Sequence, residues 1–353
     1  MSWQHLVTFG AMTLAAMAFA PKTVAASAAR AVGTLETGTI DTKLVPGPAK
    51  FTVLLPPGYA NAKGPLPLVL FLHGGDGDNG FLKLLEPGIE AAWANGDVPL
   101  AVFVTPDAQR SLYMDYRDGS QSWDSFIVSQ LIPYIRAHYR VSLDRNQTVV
   151  AGVSMGGLGA LSLAFRHPEA FGGLAAFEAG IEPGLSFYDL KKRNHVQRND
   201  AFFKERFGDP VDDDWFKQFN PANLAIANRD KILSSNLQIY IDVGDQDMFY
   251  LDEGVEFLHR VLWDHRIPHE YRQVHGADHL GRSLPPRFID GFHFLRDHVL
   301  APLPADTSPA LVRGRALTDL MKKAAGVSDS DPRPPLPPTD KPLSSHPSTE
   351  DRE

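Results

Sequence analysis

One serine of this chain lies in a glycine-rich pattern that is typical of hydrolytic nucleophiles. Gly152, Ser154 and Gly156 satisfy the pattern G-x-S-x-G. The apolar run TVVAGV precedes the pattern and LGALSLAFRHP follows it, which predicts a strand, a sharp turn and a helix. Such a turn holds the serine hydroxyl above the end of the strand, and it needs small residues because the two backbones approach closely. We therefore predict that Ser154 is a nucleophile; a packing turn with an incidental serine is the alternative.

A serine hydroxyl becomes a good nucleophile when a base accepts its proton, and a carboxylate then orients that base. With this kind of turn, the acid and then the histidine are expected downstream of the serine. The acid candidates lie in GDQD, directly after the apolar run QIYIDV. Asp247 is preferred because it lies beyond the turn and can reach back toward an imidazole, and Asp245 is the alternative.

The base candidates lie in HGADH, directly after the strand-like segment EYRQV. His279 is preferred and His275 is the alternative, because loop histidines beside glycine can approach the serine. Histidine can take up and return a proton near neutral pH, as a general base must. His259, His293 and His298 lie in helical patterns, so we expect them to pack or to face solvent.

Attack on an ester carbonyl places negative charge on its oxygen, and hydrogen-bond donors must stabilise that charge. One donor is expected to be the backbone N–H of Met155, the residue after the nucleophile. The second is expected in the loop after the apolar run LVLFL, where the sequence is HGGD. Gly75 is the preferred donor and Gly74 is the alternative, while His73 is expected to orient the loop.

The same loop satisfies two further patterns that we do not interpret as sites. Residues 75–80 match G-x-G-x-x-G, but the aspartates Asp76 and Asp78 would repel a pyrophosphate. These aspartates also resemble the start of a calcium loop, but Pro87 occupies the position of the required glutamate. The sequence contains no cysteine and no HExxH motif. We therefore predict no cofactor and no metal ion.

The elements that would position these residues alternate along the chain. Short apolar runs, several of them apolar on both faces, indicate strands of a parallel sheet that is covered by helices. The predicted strands are 51–55, 68–72, 100–104, 148–153, 173–177, 238–243 and 270–274. The predicted helices are 123–138, 155–167, 253–266 and 285–298. The alternation predicts an α/β fold with a mostly parallel sheet and helices on both faces, as a single domain near residues 35–302.

Three other segments differ from this alternation. Residues 181–220 combine a basic and an acidic cluster, and we expect either an insertion that caps the site or a solvated loop. Residues 1–30 hold an apolar run followed by small residues, which predicts a secretory signal peptide or an N-terminal anchor. We therefore expect a secreted or periplasmic protein with no other membrane span. Residues 303–353 are rich in proline, serine and charge, which predicts disorder.

Four motifs follow one another in the order HGG, GVSMGG, GDQD and HGADH. In this order they resemble the esterase D and feruloyl esterase group, which also contains enterobactin esterases and mycolyltransferases. The resemblance covers roughly residues 50–298 and implies the α/β-hydrolase fold. The roles that it implies fall on five residues: nucleophile Ser154, acid Asp247, base His279, and oxyanion donors Gly75 and Met155. Many members have a Gly-Gly-His arrangement at the base, whereas this chain has one more residue, which keeps His275 as an alternative.

Together these observations predict hydrolysis of a carboxylic ester through an acyl-enzyme. Two alternatives stay open: acyl transfer to a carbohydrate or lipid alcohol by the same residues, and a non-catalytic binding protein on the same fold. Tyr116 and Trp123 are predicted to line the substrate pocket, with an ordinary surface loop as the alternative. The expected partner is a small-molecule or polysaccharide-linked ester. A formal net charge of −8 gives no basic excess for binding nucleic acid.

Overall fold

The chain forms two compact units in the computed structural model, which describes residues 32–331. The first unit ends at Leu303 and the second begins at Pro304. The predicted signal peptide or anchor at 1–30 lies outside the described residues, as do residues 332–353 of the tail.

Eight strands form one sheet in the first unit. They are β1 Thr34–Ile40, β2 Ala49–Leu55, β3 Leu68–Leu72, β4 Val102–Pro106, β5 Thr148–Val153, β6 Gly173–Phe177, β7 Gln238–Gly244 and β8 Glu270–Val274. Their order in the sheet is β1-β2-β4-β3-β5-β6-β7-β8. The pairs β1–β2 and β2–β4 are antiparallel, and all other neighbours are parallel. The carboxyl ends of β3, β5, β6, β7 and β8 therefore meet at one edge of the sheet.

The α-helices of the described residues lie between and after these strands. They are α1 Phe81–Asn95, α2 Trp123–Phe126, α3 Ile132–His138, α4 Met155–Arg166, α5 Asp200–Phe207, α6 Asp213–Phe219, α7 Pro221–Ala227, α8 Arg229–Ser235, α9 Leu251–Asp264, α10 Leu284–Leu295 and α11 Pro309–Ala325. Two π-helical stretches, Ile127–Leu131 and Arg296–Leu300, continue α2 and α10.

Helices cover both faces of the sheet because its central strands are apolar on both sides. On one face, Phe71 of β3 packs edge-on against Phe288 of α10, with ring centroids 5.6 Å apart, and α1 completes that layer. On the other face, Leu70 belongs to a core cluster that includes side chains of α4 and α9. Every residue of β3, β5 and β6 is buried. The predicted α/β architecture is confirmed.

Some elements differ from the predicted set, each for a local reason. Strand β1 is additional; its residues are exposed or half-buried on an edge of the sheet, so it lacks the apolar signal. Helix α1 is also additional, and Pro87 and Gly88 within it weaken the sequence signal for a helix. The predicted helix at 123–138 is interrupted by a π-helical stretch that ends just before Pro133, which has no N–H to donate.

Segment 181–220 contributes apolar side chains to the main core cluster. It contains α5 and α6, and four phenylalanines are at most 3% exposed: Phe203, Phe207, Phe216 and Phe219. Its basic cluster is not wholly solvated either, because Arg198 is buried. The interpretation as a solvated loop is therefore wrong, and the role of a cap stays a prediction.

The tail prediction needs a correction within the second unit. Disorder was expected for 303–353, but α11 spans Pro309–Ala325 and is closed by Gly326 in a left-handed conformation. Alanine, leucine, lysine and arginine in this stretch favour a helix, with proline in its first turn and glycine after its end. The proline- and serine-rich composition belongs to the residues that follow. The helices within 32–331 are each too short or too polar to cross a bilayer.

Candidate active site

Ser154 occupies a tight turn between β5 and α4. Its backbone has φ 58° and ψ −118°, a conformation that costs a non-glycine residue about 1–3 kcal/mol. Glycines make the turn sterically feasible. A Cβ on Gly152 would lie 2.3 Å from the carbonyl oxygen of Gly156, and a Cβ on Gly156 would lie 2.1 Å from that of Leu72. The predicted strand–turn–helix around the serine is confirmed.

Backbone hydrogen bonds from the end of β6 hold this turn in place. The N–H of Ser154 donates to the carbonyl of Phe177 at 2.9 Å, and the N–H of Gly180 donates to the carbonyl of Ser154 at 2.9 Å. These two bonds compensate for the strained backbone because they fix the residue from both sides. The segment after β6 is therefore part of the site's framework.

A continuous chain of hydrogen bonds joins Ser154, His279 and Asp247. The distance from Ser154 Oγ to His279 Nε2 is 3.0 Å, and that from His279 Nδ1 to Asp247 Oδ2 is 2.8 Å. Both His279 and Asp247 are 4% exposed, whereas Ser154 is half-buried. An ionised carboxylate can only accept, so Nδ1 carries a proton and Nε2 is left to accept one from the serine hydroxyl.

Asp247 is held in one orientation by its other oxygen. Oδ1 accepts the backbone N–H of Phe249 at 2.7 Å and that of Leu251 at 3.3 Å. Burial by itself would raise the pKa of Asp247, but hydrogen bonds and the charge of His279 outweigh it and hold the pKa below its usual value. The ring of Phe249 packs edge-on against His279 with centroids 4.9 Å apart. Asp247 is therefore ionised, and the imidazole of His279 is held in one orientation.

The two alternative residues form a separate pair. His275 Nδ1 lies 2.7 Å from Asp245 Oδ2, and the N–H of Gly276 donates to Asp245 Oδ1 at 2.6 Å. The side chain of His275 is 97% exposed. The structure thus brings Asp247 and His279 together with the serine, and it places Asp245 and His275 in a solvent-facing turn.

The residues predicted as oxyanion donors lie on two elements beside the serine. Met155 is the first residue of α4, and the first N–H groups of a helix have no partner within that helix. Gly74 and Gly75 follow β3. A Cβ on Gly74 would lie 3.6 Å from Ser154 Cβ, whereas a Cβ on Gly75 would meet nothing within 4 Å. Both glycines thus stay candidates for the second donor, and the assignment stays a prediction.

His73 ties the glycine loop to the rest of the fold. It is fully buried, its Nδ1 donates to the carbonyl of Gly74 at 2.7 Å, and its Nε2 accepts the N–H of Ala108 at 3.1 Å. The hydroxyl of Tyr113 donates to the carbonyl of His73 at 3.0 Å. Both ring nitrogens are occupied, so His73 orients the loop and does not face the serine.

Tyr116 and Trp123 do not form an open pocket. Each is 3% exposed and belongs to the core cluster. Trp123 Nε1 donates to Gln121 Oε1 at 2.9 Å, and the guanidinium of Arg206 lies 5.1 Å from the ring centroid of Tyr116. Burial raises the pKa of Tyr116 to about 12. The prediction that both residues line the substrate pocket finds no support here, because protein already covers both side chains.

A small cavity lies one helical turn from Ser154, where Leu158 donates its N–H to the serine carbonyl. Most of its lining is apolar and comes from the loop after β4, from α4 and from segment 181–220: Leu112, Met114, Leu158, Phe203, Phe207 and Phe216. A buried ion pair between Arg198 Nη1 and Glu182 Oε1 also lines the cavity. Arg198 Nη2 donates to the carbonyl of Gly180 at 2.9 Å, which links the ion pair to the turn.

A second buried ionic cluster, which sequence reasoning missed, lies behind Asp247. Glu178, Asp242 and Arg287 are each at most 3% exposed, and Arg287 forms an ion pair with each of the two carboxyl groups. Among the described residues, Glu178, Asp247 and His279 form the one group whose side-chain atoms lie close enough to hold a cation. The last two already bond to each other, so we interpret the group as a hydrogen-bond network. In the sequence, the available signal for this cluster is Glu178, a carboxylate that directly follows the apolar strand β6.

Comparison with known proteins supports both the fold and the family. The sequence model of the putative esterase family matches residues 43–283. An esterase of Mycobacterium tuberculosis is 31% identical over 119 residues, or 33% of this chain and 25% of that protein. An acetyl esterase of Caldicellulosiruptor saccharolyticus is 28% identical over 82 residues, or 23% of this chain and 30% of that protein. The matched region thus spans 25–30% of the length of these relatives.

Solved structures are similar over a larger share of the chain. A ferulic acid esterase has a TM-score of 0.60 at 22% identity, covering 75% of this chain and 98% of that one. An S-formylglutathione hydrolase from Agrobacterium tumefaciens has a TM-score of 0.61 at 18% identity, covering 76% of this chain and 96% of that one. These similarities confirm the predicted α/β-hydrolase fold. Because the family match also covers more than half of the sequence, the chain belongs to the putative esterase family.

Proposed function

We propose that this protein is a serine hydrolase of carboxylic esters, with Ser154 as nucleophile, His279 as general base and Asp247 as the acid that orients it. The observation that carries the proposal is the hydrogen-bonded chain from Ser154 Oγ to His279 Nε2 at 3.0 Å and from His279 Nδ1 to Asp247 Oδ2 at 2.8 Å. The family match at 43–283 supports the same conclusion.

In the first half of the proposed reaction, Ser154 Oγ attacks the ester carbonyl carbon while His279 Nε2 takes the hydroxyl proton. The carbonyl π electrons move to the oxygen, and the resulting negative charge is stabilised by backbone N–H groups of Met155 and of Gly75 or Gly74. Losing one such donor typically costs about 2.7–4 kcal/mol of transition-state stabilisation. When the intermediate collapses, the carbon–oxygen bond to the alcohol breaks, and His279 gives its proton to the departing oxygen.

In the second half, a water molecule replaces the alcohol. His279 takes a proton from the water as its oxygen attacks the acyl carbon, and Ser154 leaves with that proton as the free acid is released. Asp247 keeps its negative charge throughout and stabilises the imidazolium that forms twice in each cycle. Burial of this pair keeps water from competing for its hydrogen bond.

The names of two relatives suggest acetyl and feruloyl esters as candidate substrates. Among the relatives, one is called an acetyl esterase and one structure is called a ferulic acid esterase. A panel of p-nitrophenyl acetate, feruloyl esters, acetylated xylan and a thioester would distinguish these classes. Product analysis with and without a carbohydrate or lipid alcohol would distinguish hydrolysis from acyl transfer.

We also propose that the protein is exported to the periplasm or outside the cell. The support is the apolar run at 6–20 followed by the alanine-rich residues 25–31. N-terminal sequencing of protein recovered outside the cytoplasm tests the proposal. A protein that stays in the cytoplasm and begins at Met1 would contradict it.

The central test is hydrolysis of p-nitrophenyl acetate by the wild type, by Ser154→Ala and by the matched control Ser129→Ala. Ser129 is exposed and donates to the carbonyl of Ser125 within a helix, so its loss should leave the rate unchanged. Loss of the nucleophile should lower kcat by roughly 10⁴-fold or more. A fluorophosphonate should phosphonylate Ser154 with loss of fluoride, so the peptide that contains Ser154 should gain the mass of the reagent minus HF. Equal rates in wild type and Ser154→Ala would end the assignment.

A further inference from the structure

Glu178 is the first residue after β6 and lies directly behind Asp247. Its side chain is fully buried. Its backbone N–H donates to the carbonyl of Asp242 at 3.0 Å, and its Oε1 accepts the N–H of Gly244 at 2.9 Å. Arg287 Nη1 also donates to this oxygen. One oxygen of the carboxyl group is therefore fully used as an acceptor.

The guanidinium of Arg287 is shared unequally between two carboxyl groups. It donates to both oxygens of Asp242, from Nε at 3.1 Å and from Nη2, but to Glu178 from Nη1 alone. Such a two-point pair is the stronger arrangement for an arginine and a carboxylate. The positive charge of Arg287 is therefore matched mainly by Asp242.

The carboxyl group of Glu178 lies close to the proposed catalytic residues, and its second oxygen has no partner within the described part of the chain. Oε2 is buried and has no hydrogen-bond donor among residues 32–331. One side-chain atom each of Glu178, Asp247 and His279 lie within 4.8 Å of one another. Two buried carboxylates this close repel each other unless a proton lies between them.

A count of buried charge also indicates that one of these carboxyl groups keeps its proton. If all three carboxyl groups were ionised, Glu178, Asp242 and Asp247 would carry three negative charges against the single positive charge of Arg287. An unmatched buried charge is costly, and a buried group instead neutralises by keeping its proton. Burial raises the pKa of Glu178 to about 8; Arg287 opposes this, and the hydrogen bond and charge of Asp247 add to it.

We propose that Glu178 is a positioning residue that stays protonated at neutral pH and donates a hydrogen bond from its carboxylic acid to the Asp247 carboxylate. This bond holds Asp247 against His279 and leaves one net negative charge in the cluster. That charge is matched when His279 becomes an imidazolium. The proposal rests on the proposed hydrolase function of the same site.

The pH dependence of this bond is set by the charged groups around it. Asp242 and the Gly244 N–H face Glu178 from β7, and Arg287 faces it from α10. Asp247 and His279 face it from the loops after β7 and β8. Asp252 on α9 interacts with Asp247, and burial, Glu253 and Asp247 raise its pKa to about 6.

The first test compares the pH profiles of kcat for wild type, Glu178→Gln and Glu178→Ala. Glutamine has the shape of a protonated glutamate and supplies an N–H donor that cannot ionise. We expect wild-type kcat to fall above about pH 8, when the donor is lost and a second negative charge faces Asp247. In Glu178→Gln, kcat should stay within about twofold at pH 7 and lack this alkaline fall. In Glu178→Ala, kcat should fall about 10- to 100-fold with KM little changed.

A glutamate that acts as an ionised partner of Arg287 would give the opposite pattern. Glu178→Gln would then unfold, or would lose as much activity as Glu178→Ala, or would keep the wild-type pH profile. Each of these outcomes overturns the proposal.

The second test does not depend on hydrolysis. Infrared difference spectra of Ser154→Ala should contain a protonated-carboxyl band near neutral pH that disappears as the pH passes about 8. The band should be missing in Ser154→Ala/Glu178→Gln and retained in Ser154→Ala/Glu182→Gln, since Glu182 is paired with Arg198 elsewhere. Absence of the band in Ser154→Ala overturns the protonation even if the enzyme hydrolyses esters. Its presence in a protein that hydrolyses none would instead contradict the proposed function.

Discussion

Two aspartate–histidine pairs in this protein come from the same two loops, and their hydrogen bonds are almost equally long. The bond is 2.8 Å for Asp247–His279 and 2.7 Å for Asp245–His275. The side-chain exposure of the histidine is 5% in the first pair and 97% in the second. Bond length therefore does not distinguish the pairs, whereas burial does.

Burial changes what the same residue types can do. In a low-dielectric interior, the hydrogen bond between Asp247 and His279 is strong and keeps the imidazole in one orientation toward Ser154. At the surface, water and salt screen the attraction between Asp245 and His275, and such pairs contribute about 0–1 kcal/mol. The exposed pair stabilises its own turn, because Asp245 also accepts the N–H of Gly276.

The comparison is tested most severely by removing each histidine. We expect His279→Ala to lower kcat for p-nitrophenyl acetate by roughly 10⁴-fold or more, because the serine loses its base. The matched variant His275→Ala should keep kcat within about twofold, because a fully solvated ring holds no reacting group. The reverse ranking would exchange the roles of the two histidines.

Removing the charge of each aspartate should have the next largest effect. Asp247→Asn should lower kcat by about 10³- to 10⁴-fold, because an amide can stabilise the wrong tautomer of His279 and cannot match the imidazolium. Asp245→Asn is the control and should change kcat little. Steady-state kinetics of both variants measure the two changes in kcat. An equal loss of kcat in the two variants would show that the exposed pair also supports catalysis.

The smallest expected effect is a pH-dependent change in stability. The pKa of Asp247 is lower in the folded protein than its ordinary value of 3.8, despite its burial. Ionised Asp247 therefore stabilises the fold at any pH above 3.8. This stabilisation is lost as the pH falls from 3.8 through the pKa of the folded protein. The free energy of unfolding of wild type relative to Asp247→Asn should therefore decrease from pH 5 to about pH 3. Urea titrations across this range measure it. Asp245→Asn should show the same sign, with at most about 1 kcal/mol, because water screens its pair. A constant difference for Asp247→Asn would contradict the lowered pKa.

Much of the fold followed from periodicity alone. Strands β3, β5 and β6 are apolar on both faces, and that pattern predicted a covered parallel sheet. Strand β1 was not predicted, because an edge strand buries few side chains and so lacks a run of apolar residues. Composition does not predict helix α11, because the tail joins a helix-forming stretch at 309–325 to a stretch rich in proline and serine that follows it.

The candidate site followed from the sequence in part. Ser154 could be found because its turn requires glycines at fixed positions. The segments that hold Asp247 and His279 could also be found, since both follow predicted strands. The sequence predicts a pocket position for Tyr116 and Trp123, whereas the structure buries both, because an aromatic residue in a loop looks the same in sequence whether it is exposed or packed.

The sequence by itself determined the strand–turn–helix around Ser154, the α/β class, and the two short loops that hold the candidate aspartates and histidines. These features depend on local sterics and apolar periodicity. The tertiary structure alone decided which aspartate meets which histidine, and it brought Glu178, Asp242 and Arg287 together behind them. These pairings depend on how β6, β7, β8 and α10 align at one edge of the sheet. Asp245 and Asp247 lie two positions apart, and His275 and His279 lie four positions apart, so the local sequence does not show which member of each pair becomes buried.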